Sequence, residues 1–575
     1  MIDRSAIPRK VISEVCAFCF PWICLPAVVE QVPNRYPKAR NMNTIKDDLI
    51  AEIDKRVADK ILEPANAELL KKLIRQADND NEAMSIAELG TTYKRTGLHF
   101  DKRLERMTDD ICYFKKNEAL SFHTDDGKPV HKLIIGDNYQ ALQNLMIQYK
   151  GKIDVIYIDP PYGKDSMGEF AQTNYENAIT RDNLLSMLYP RLMLAKMLLS
   201  DSGVIYCSID DRNQAYVKCL FDEVFGEMSF VATIPWRKRT AKSDVPFGIS
   251  QDYEWIMCYG KEYFQSGIEK ETRKYYETPD FPNRPWRIHD MTTQRSAKER
   301  PNCFFTIINP KTGEKYPPNP NRVWANNEET FKEYYLNNRI IFPGDYDFLS
   351  ITKPVIRYWK EDDEKKSGDF LGFVAASTDL PKEVGMTLDG TKDITSIFGD
   401  KSFGFPKPVS LIQYILRLAN PLSKKSIILD FFAGSGTTGH AVLELNKKDE
   451  GNRTFILCQL NEKTDTTPNS IAYDVTAKRL KRIMTGECYD GTKDFKWIKE
   501  NQPYGGNLDV YDLATVANFA DTEGKTPFEV IDETLYGQEK FQTLREKVEW
   551  VCGNFSNAQK TVENDTEWQK RIVED

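Results

Sequence analysis

The sequence predicts an α/β protein whose central sheet is mostly parallel and covered by helices on both faces. Continuous apolar runs such as residues 132–137 (KLIIGD) and 153–159 (IDVIYID) alternate with helical patterns. Strands buried on both faces lack the polar alternation of a half-exposed sheet, and these runs lack it. The alternation stops near residue 231 and resumes after residue 400, so we expect an inserted module within one α/β domain.

Length and composition bound the class of protein. The chain has 575 residues, 41% hydrophobic and 29% charged, which is typical of a globular protein with several folding units rather than a fibrous or disordered one. The net charge of −8 leaves room for a local basic groove. Scattered cysteines, of which only Cys16 and Cys19 approach metal-ligand spacing, predict reduced thiols and no metal site. No apolar run reaches the roughly 18 residues of a membrane span, so we expect no such span, and the reduced thiols predict a cytoplasmic protein.

The first 41 residues differ from the rest of the chain. They contain an apolar stretch after basic residues, as a signal peptide does, but Glu14, Pro21 and Pro26 interrupt it. After Met42 the apolar residues recur at helical spacing. We expect Met42 to be the true start and residues 1–41 to be a non-native or unstructured extension; an intact mass that includes the extension in the native protein would contradict this.

A glycine-rich turn follows the apolar run KSIILDFF. In residues 430–442 (DFFAGSGTTGHAV), Gly434 and Gly436 lie between a strand and a helix, where backbone amides can approach a ligand. The next strand ends near Glu462, an acid placed to bind ribose hydroxyls. The alternatives are a turn that serves packing alone and a solvent-facing glutamate.

The strand IDVIYID ends in an unusually stiff sequence, Asp159-Pro160-Pro161-Tyr162. Two prolines fix the backbone and leave rigid carbonyl acceptors, and a carboxylate at a strand's carboxyl end faces the ligand crevice of an α/β sheet. Asp159 and the Pro160 carbonyl can accept both hydrogens of an exocyclic amine, and Tyr162 can stack on the ring that carries it. The pattern therefore favours an aromatic amine as substrate over a purely structural turn.

These two motifs together resemble those of the amino-methyltransferases that modify exocyclic amines of DNA bases with S-adenosyl-L-methionine. The order, IDPPYG before DFFAGSGTTGH, resembles the β-class, circularly permuted arrangement. The wider text, KLIIGDNYQALQNL and FPKPVSLIQYIL, resembles the modification (Mod) subunits of Type III restriction-modification systems and related solitary enzymes, over most of residues 85–485. The resemblance implies a Rossmann-like methyltransferase fold with a mostly parallel, seven-stranded sheet and an inserted target-recognition module.

The resemblance also implies roles for single residues. Asp159, Pro160, Pro161 and Tyr162 match its catalytic motif. The positions that match its S-adenosyl-L-methionine site are Asp137, Asn138, Lys407, Pro408, Asp430, Phe432, Gly434, Ser435, Gly436, Thr437 and Glu462. Lys407 and Pro408 would line the methionine end of the cofactor. Neither a metal nor a covalent enzyme intermediate is expected, because the cofactor already activates the methyl carbon. The loop 163–176 departs from the family pattern, which affects the expected contacts with DNA.

The insert is dense in basic and aromatic residues. Candidates for DNA binding there are Trp236, Arg237, Lys238, Arg239, Arg284 and Arg287. A merely solvated charged module is the alternative. The resulting segments are an extension (1–41), a helical segment (42–120), a catalytic half (121–230), a target-recognition insert (231–400) whose strand 252–261 belongs to the catalytic sheet, a cofactor-binding half (401–485) and a mixed C-terminal segment (486–575).

The expected reaction is methyl transfer to adenine N6 of a base flipped out of the DNA duplex. Cytosine N4 is the alternative amine, since it presents the same two hydrogens. The resemblance implies partners for the chain: DNA, a second copy of the chain and a restriction subunit with helicase and nuclease activity, in a prokaryotic cytoplasm. Alternatives of other kinds are a subunit that chiefly recognises DNA within a nuclease assembly, and an RNA methyltransferase.

Overall fold

The computed structural model describes residues 45–58, 62, 64–89, 110–125, 127–162, 181–240, 249–269, 273–464, 467–517 and 525–555. The chain divides into two compact units, Met1–Gly97 and Leu98–Asp575. The expected extension 1–41 and the loop 163–176 lie outside the described residues.

The first unit is a small helical bundle. Its helices are α1 (Ile45–Ala58), α2 (Pro64–Gln76) and α3 (Asp80–Leu89). Ile53, Ala67, Ile74 and Ala83 are fully or almost fully buried between them. Apolar residues at helical spacing thus form one shared core, as the pattern after Met42 indicates.

The second unit contains a large mixed sheet and a smaller module. Its strands are β1 (Ile111–Lys116), β2 (Phe122–His123), β3 (Val130–Ile135), β4 (Ile153–Ile158), β5 (Leu199–Ile209), β6 (Phe230–Arg237), β7 (Tyr253–Gly260), β8 (Ile268–Glu269), β9 (Tyr276–Thr278), β10 (Phe281–Asp290), β11 (Ile307–Ile308), β12 (Lys315–Tyr316), β13 (Ile340–Ile341), β14 (Val355–Trp359), β15 (Phe373–Val374), β16 (Ile427–Asp430), β17 (Thr454–Gln459) and β18 (Asn507–Val516). Its α-helices are α4 (Asn138–Tyr149), α5 (Arg181–Leu198), α6 (Gln214–Phe225), α7 (Glu328–Leu336), α8 (Lys360–Ser367), α9 (Thr387–Phe398), α10 (Val409–Leu418), α11 (Thr437–Asp449), α12 (Lys478–Thr485), α13 (Lys496–Glu500), α14 (Pro527–Val530) and α15 (Leu544–Asn554).

The large sheet has ten strands rather than the seven expected. Its order is β1-β18-β3-β17-β16-β4-β5-β7-β6, and β2 also pairs with β18. The strands from β18 to β5 are parallel to their neighbours, whereas β7, β6, β1 and β2 pair antiparallel. The seven strands from β3 to β6 along this order are those of the expected sheet. The other three come from residues 111–123 and 507–516, which correct two expectations: the segment 42–120 is not helical throughout, and the C-terminal segment completes the sheet.

Helices cover both faces of the sheet, which explains its continuously apolar strands. In β4, Ile156 and Ile158 pack on one face with α4, α5 and α6, whereas Val155 and Tyr157 pack on the other with α10, α11 and α12. Each strand therefore needs apolar side chains at consecutive positions. Among the described residues, no helix is both long and apolar enough to cross a membrane.

The inserted module has its own sheet and its own cores. Its four-stranded sheet has the order β13-β14-β10-β9, and Trp286, Ile341 and Trp359 are buried within it. The ends of the expected insert lie in the main domain instead. Strand β7 lies in the large sheet, where residues 252–261 were expected, but β6 lies there too, and Ile397 of α9 is buried in the core beneath that sheet.

Candidate active site

Five neighbouring parallel strands end at one edge of the sheet, and each ends at or before a carboxylate. Asp137 follows β3, Glu462 follows β17, Asp430 is the last residue of β16, Asp159 follows β4, and Asp210 follows β5. Ligands of open α/β sheets bind at this edge because the strand-to-helix turns expose backbone donors and side chains there. The sheet thus brings together acids that lie far apart in the sequence.

Asp159 and Tyr162 form the rigid turn after β4. The Tyr162 hydroxyl donates a hydrogen bond of 2.8 Å to Asp159 Oδ1. The Tyr162 carbonyl oxygen accepts one of 2.8 Å from Asn213 Nδ2, and Asp210 Oδ1 in turn accepts from the same amide at 3.0 Å. The proline-containing turn is therefore anchored to the segment after β5, with Asp159 half-buried at the edge of the sheet.

Lys407 lies against this turn although 248 residues separate it from Asp159. Its Nζ is 2.6 Å from Asp159 Oδ2, 3.0 Å from the Tyr162 hydroxyl and 3.3 Å from Glu254 Oε2. Glu254 lies on β7 and also pairs with Lys238 at 3.2 Å. Two lysines and two carboxylates thus form one cluster, so each buried charge has an opposite charge beside it.

The cluster shifts the pKa values of its members in different directions. Burial raises the pKa of Asp159, while Lys407 opposes that rise. Burial alone would raise the pKa of Glu254, but Lys407 and Lys238 together hold it below the ordinary value. Burial and the nearby carboxylates raise the pKa of the Tyr162 hydroxyl, which therefore stays protonated and donates.

The glycine turn between β16 and α11 requires backbone freedom at two positions. Gly434 has φ 51° and Gly436 has φ 79°, both in the left-handed region. The Gly434 amide donates to Gln459 Oε1 at 2.7 Å, and its carbonyl oxygen accepts from the Thr476 hydroxyl at 2.6 Å. A Cβ on Gly436 would come within 3.2 Å of Thr476 Cγ2, so the turn packs closely on the π-helical segment Ala472–Ala477 that precedes α12.

Asp430 holds the start of this turn. Its Oδ1 accepts from the Phe432 amide at 3.0 Å, and its Oδ2 accepts from the Thr438 hydroxyl at 2.5 Å. Burial raises the pKa of Asp430 to about 7. The carboxyl group thus connects two parts of the turn by hydrogen bonds, and burial makes its ionised form costly.

Arg479 donates hydrogen bonds to two side chains of the glycine turn. This fully buried side chain donates to Ser435 Oγ and Thr437 Oγ1, each at 3.0 Å, and lies 3.1 Å from His440 Nδ1. Ser435 and Thr437, two of the expected cofactor residues, are therefore themselves held in place by a buried cation.

Asp137 and Asn138 begin α4 at the end of β3. Asp137 Oδ1 accepts from the Tyr139 amide at 2.8 Å and so caps the helix. Arg191 Nη2 donates to Asp137 Oδ2 at 3.0 Å, and Asn138 Nδ2 donates to the Phe431 carbonyl oxygen at 2.7 Å. These contacts connect the tip of β3 to the glycine turn two strands away.

The expected cofactor residues lie on adjacent strand ends, with one difference at Lys407. Pro408 is the N-cap residue of α10, and Glu462 is part-buried beyond β17, the strand beside β16 and its glycine turn. Acids and a tight turn at a helix N-terminus fit the hydroxyls, amines and ammonium of S-adenosyl-L-methionine. Lys407, however, directs its ammonium to Asp159, so its side chain belongs to the catalytic turn in this structure.

The structure separates the expected DNA-binding residues. Trp236 is 1% exposed, and its Nε1 donates to the Gly385 carbonyl oxygen, which is at odds with stacking on a base. Lys238 lies in the active-site cluster, and Arg239 lies 3.8 Å from Asp252. Arg237 is exposed.

Arg284 and Arg287 bind carboxylates of α8 within the inserted module. Arg284 Nε donates to Glu361 at 3.0 Å, and its guanidinium lies 3.9 Å from the centre of the Trp359 ring. Arg287 Nε donates to Asp363 at 2.6 Å. These arginines therefore fasten α8 to β10, and their role in DNA binding stays a prediction.

Several site residues were not predicted from the sequence, among them Asp210, Glu254, Arg191 and Arg479. Glu254 had a signal, since it is a single acid within the otherwise apolar run YEWIMCYG. An acid at a buried position of such a strand needs a partner, which pattern alone cannot identify. Arg191 and Arg479 lie on helical segments, where a long basic side chain is ordinary and gives no signal.

Substitution of Gly436 tests the turn. We expect Gly436→Ala to weaken binding of S-adenosyl-L-methionine by roughly tenfold, because a left-handed residue with a Cβ costs about 1–2 kcal/mol and the added atom meets Thr476. Titration calorimetry without DNA would measure the affinity. Gly399→Ala is the matched control: Gly399 also has a positive φ, 87°, but open space around it, and its substitution should leave the affinity unchanged.

Asp430 makes the stability of the folded protein depend on pH. Its pKa is raised from 3.8 to about 7 in the folded state, so the folded protein holds a proton that the unfolded chain has lost. Stability is therefore lost as pH rises from about 4 to about 7. We expect Asp430→Asn to melt at a higher temperature relative to the wild type at pH 8 than at pH 5. Asp125→Asn, at an exposed carboxylate, should show no such difference; equal pH dependence of all three proteins would contradict the expectation.

Residues 153–469, more than half of the chain, match the family model of N6/N4 DNA methylases. The chain belongs to this family. Residues 40–155 match a second model, that of an uncharacterised conserved protein. Membership of the DNA methylase family confirms the predicted family resemblance and the predicted fold class.

Several relatives are subunits of restriction-modification enzymes. The Mod subunit of the Type III enzyme StyLTI from Salmonella typhimurium is 29% identical over 462 residues, which cover 70% of this chain and 65% of that protein. The EcoPI Mod subunit of Escherichia phage P1 is 26% identical, covering 72% of this chain and 71% of its own length. The Type II methyltransferase M.KpnI of Klebsiella pneumoniae is 29% identical, covering 64% of this chain and 89% of its own. The chain thus spans less than two thirds of the StyLTI subunit, and it resembles Type III Mod subunits as predicted.

Proposed function

We propose that this chain methylates adenine N6 in DNA as the modification subunit of a restriction-modification system. The observation that carries the proposal is the position of Asp159 and Tyr162 at the end of β4, directly beside β16 and its glycine turn. An acceptor for an amine and an aromatic ring thus lie one strand away from the residues that fit the methyl donor. The names of the StyLTI and EcoPI relatives support the modification role.

The residues suggest how the reaction would proceed. When bound, S-adenosyl-L-methionine supplies a methyl carbon that its sulfonium already activates. Tyr162 stacks on the flipped base, and Asp159 with the Pro160 carbonyl accepts the two amine hydrogens. This orients the nitrogen lone pair towards the methyl carbon, and positioning of that kind supplies most of the rate gain. Asp159 can also accept the proton that the nitrogen loses after the new bond forms.

The choice of adenine rests on the resemblance to adenine-modifying relatives with this motif order. The family model covers both N6 and N4 amines, so cytosine N4 is the competing target. A restriction subunit, and a second copy of the chain, are proposed as partners because the relatives belong to restriction-modification enzymes.

Methyl transfer by the purified chain tests the proposal. We would incubate it with tritiated S-adenosyl-L-methionine and unmethylated plasmid DNA, and in parallel with total RNA. The proposal expects label in DNA and little in RNA. Label in RNA alone would overturn it, and so would a lack of transfer to DNA both by the lone chain and by the chain purified with its partners.

A further inference from the structure

Both carboxylate oxygens of Asp159 are already occupied. Oδ2 accepts from the Lys407 ammonium at 2.6 Å and Oδ1 from the Tyr162 hydroxyl at 2.8 Å. The ammonium is also 3.0 Å from that hydroxyl, and Lys407 is only 9% exposed. Each carboxylate oxygen has a second lone pair, but an ammonium at 2.6 Å draws charge from Oδ2 and makes it a weaker acceptor for a target amine. A move of the cation away from Oδ2 would therefore strengthen the acceptor for the amine.

Glu254 offers the ammonium a second place. Its Oε2 lies 3.3 Å from Lys407 Nζ and also accepts from the Tyr162 hydroxyl at 3.2 Å. The other oxygen, Oε1, is 3.2 Å from Lys238, so Glu254 stays ionised although it is buried. A shift of Lys407 Nζ towards Glu254 would free Asp159 Oδ2 while the ammonium keeps a carboxylate partner, and the Tyr162 hydroxyl and the incoming amine would then donate to Asp159.

We propose that Lys407 is a placeholder that occupies Asp159 until the target base enters, and that Glu254 is the positioning residue that then holds its ammonium. The inference rests on the proposed function, because it assigns the freed oxygen to the amine of a DNA base. Entry of the target base would then be coupled to a movement of the Lys407 side chain.

Other charged and titratable groups face this cluster from each neighbouring strand. They are Tyr157 of β4, Cys207 of β5, Asp210 after β5, Lys238 after β6, Asp430 of β16, and Tyr162 itself. Two substitutions, Lys407→Met and Glu254→Gln, should shift the pKa of Asp159 in opposite directions. Loss of the Lys407 cation removes the charge that opposes the raised pKa of Asp159, and loss of the Glu254 anion removes a charge that helps to raise it.

The test is the pH profile of methyl transfer to unmethylated plasmid DNA by the full chain. Transfer needs ionised Asp159, so the acid limb of kcat/KM should move to higher pH in Lys407→Met and to lower pH in Glu254→Gln, each by about one pH unit. Above the acid limb, Glu254→Gln should raise KM for DNA by roughly tenfold because Lys407 stays on Asp159. Lys407→Met should not raise it. Acid limbs that move in the same direction, or equal losses at every pH, would overturn the inference.

Controls separate folding, charge and the proposed function. Cofactor affinity measured by calorimetry without DNA should be unchanged in both variants, and Lys407→Arg, which keeps the cation, should keep the wild-type acid limb. A matched pair elsewhere, Lys547 and Glu533, 3.0 Å apart, should give no opposite shifts when changed to Met and Gln. If the wild type transfers no methyl group to DNA, either alone or purified with its partners, the proposed function fails; if it does transfer and Glu254→Gln keeps the wild-type profile and KM, only this inference fails.

Discussion

Asp159→Ala is expected to reduce methyl transfer to DNA by at least about 100-fold, the usual contribution of a positioned group that handles a reacting proton. The substitution removes the acceptor for the amine, whereas Glu254 still pairs with the buried Lys407 ammonium. Binding of S-adenosyl-L-methionine should persist, because the glycine turn and the end of β17 are unchanged. Initial rates with tritiated cofactor, together with calorimetric cofactor affinity, would measure both quantities.

Asp154→Ala is the matched control for this experiment. Asp154 lies at the beginning of β4, at the opposite end of the strand from Asp159. Its carboxylate accepts a hydrogen bond from the Ile427 amide at 2.8 Å. Its loss should lower stability but leave methyl transfer in place. If Asp159→Ala retained full transfer while it still bound cofactor, the assigned role of the carboxylate would be wrong.

Tyr162→Ala is expected to raise KM for DNA by roughly 5- to 150-fold, since stacking of a base on an aromatic ring is worth about 1–3 kcal/mol. Tyr162→Phe keeps the ring and loses only the hydroxyl that donates to Asp159. It should therefore bind DNA almost as the wild type does and lose mainly kcat. Steady-state kinetics of the three proteins on the same plasmid DNA would separate the two contributions, and equal KM values for Ala and Phe would exclude stacking by Tyr162.

The central strands and the two motifs could be predicted from the sequence alone. Strands β4 and β16 are apolar at consecutive positions because helices cover both faces, and that pattern is local. Strands β1 (ICYFKK) and β18 (NLDVYDLATV) were not predicted, because they carry charged residues among apolar ones and lie near or at the edge of the sheet. Their pairing depends on contacts across about 400 residues, which no local pattern records.

The same limit applies to the site. The positions of Asp159, Gly434 and Glu462 at one edge follow from strand ends alone, as parallel strands require. The Lys407–Glu254 contact does not, because it depends on where β7 and the start of α10 meet. Trp236 was misjudged because an aromatic residue beside basic ones is typical of a DNA-binding surface, but its strand lies in the sheet and turns the indole inward.

Mass spectrometry of the modified nucleosides tests the central claim most directly. Unmethylated DNA would be incubated with the purified chain and S-adenosyl-L-methionine carrying a deuterated methyl group, then digested to nucleosides. The amine clamp at Asp159 and Tyr162, with adenine as its target, predicts labelled N6-methyladenine, absent from the Asp159→Ala reaction. Labelled N4-methylcytosine alone would contradict the choice of adenine, and labelled N6-methyladenine at the wild-type level with Asp159→Ala would contradict the clamp.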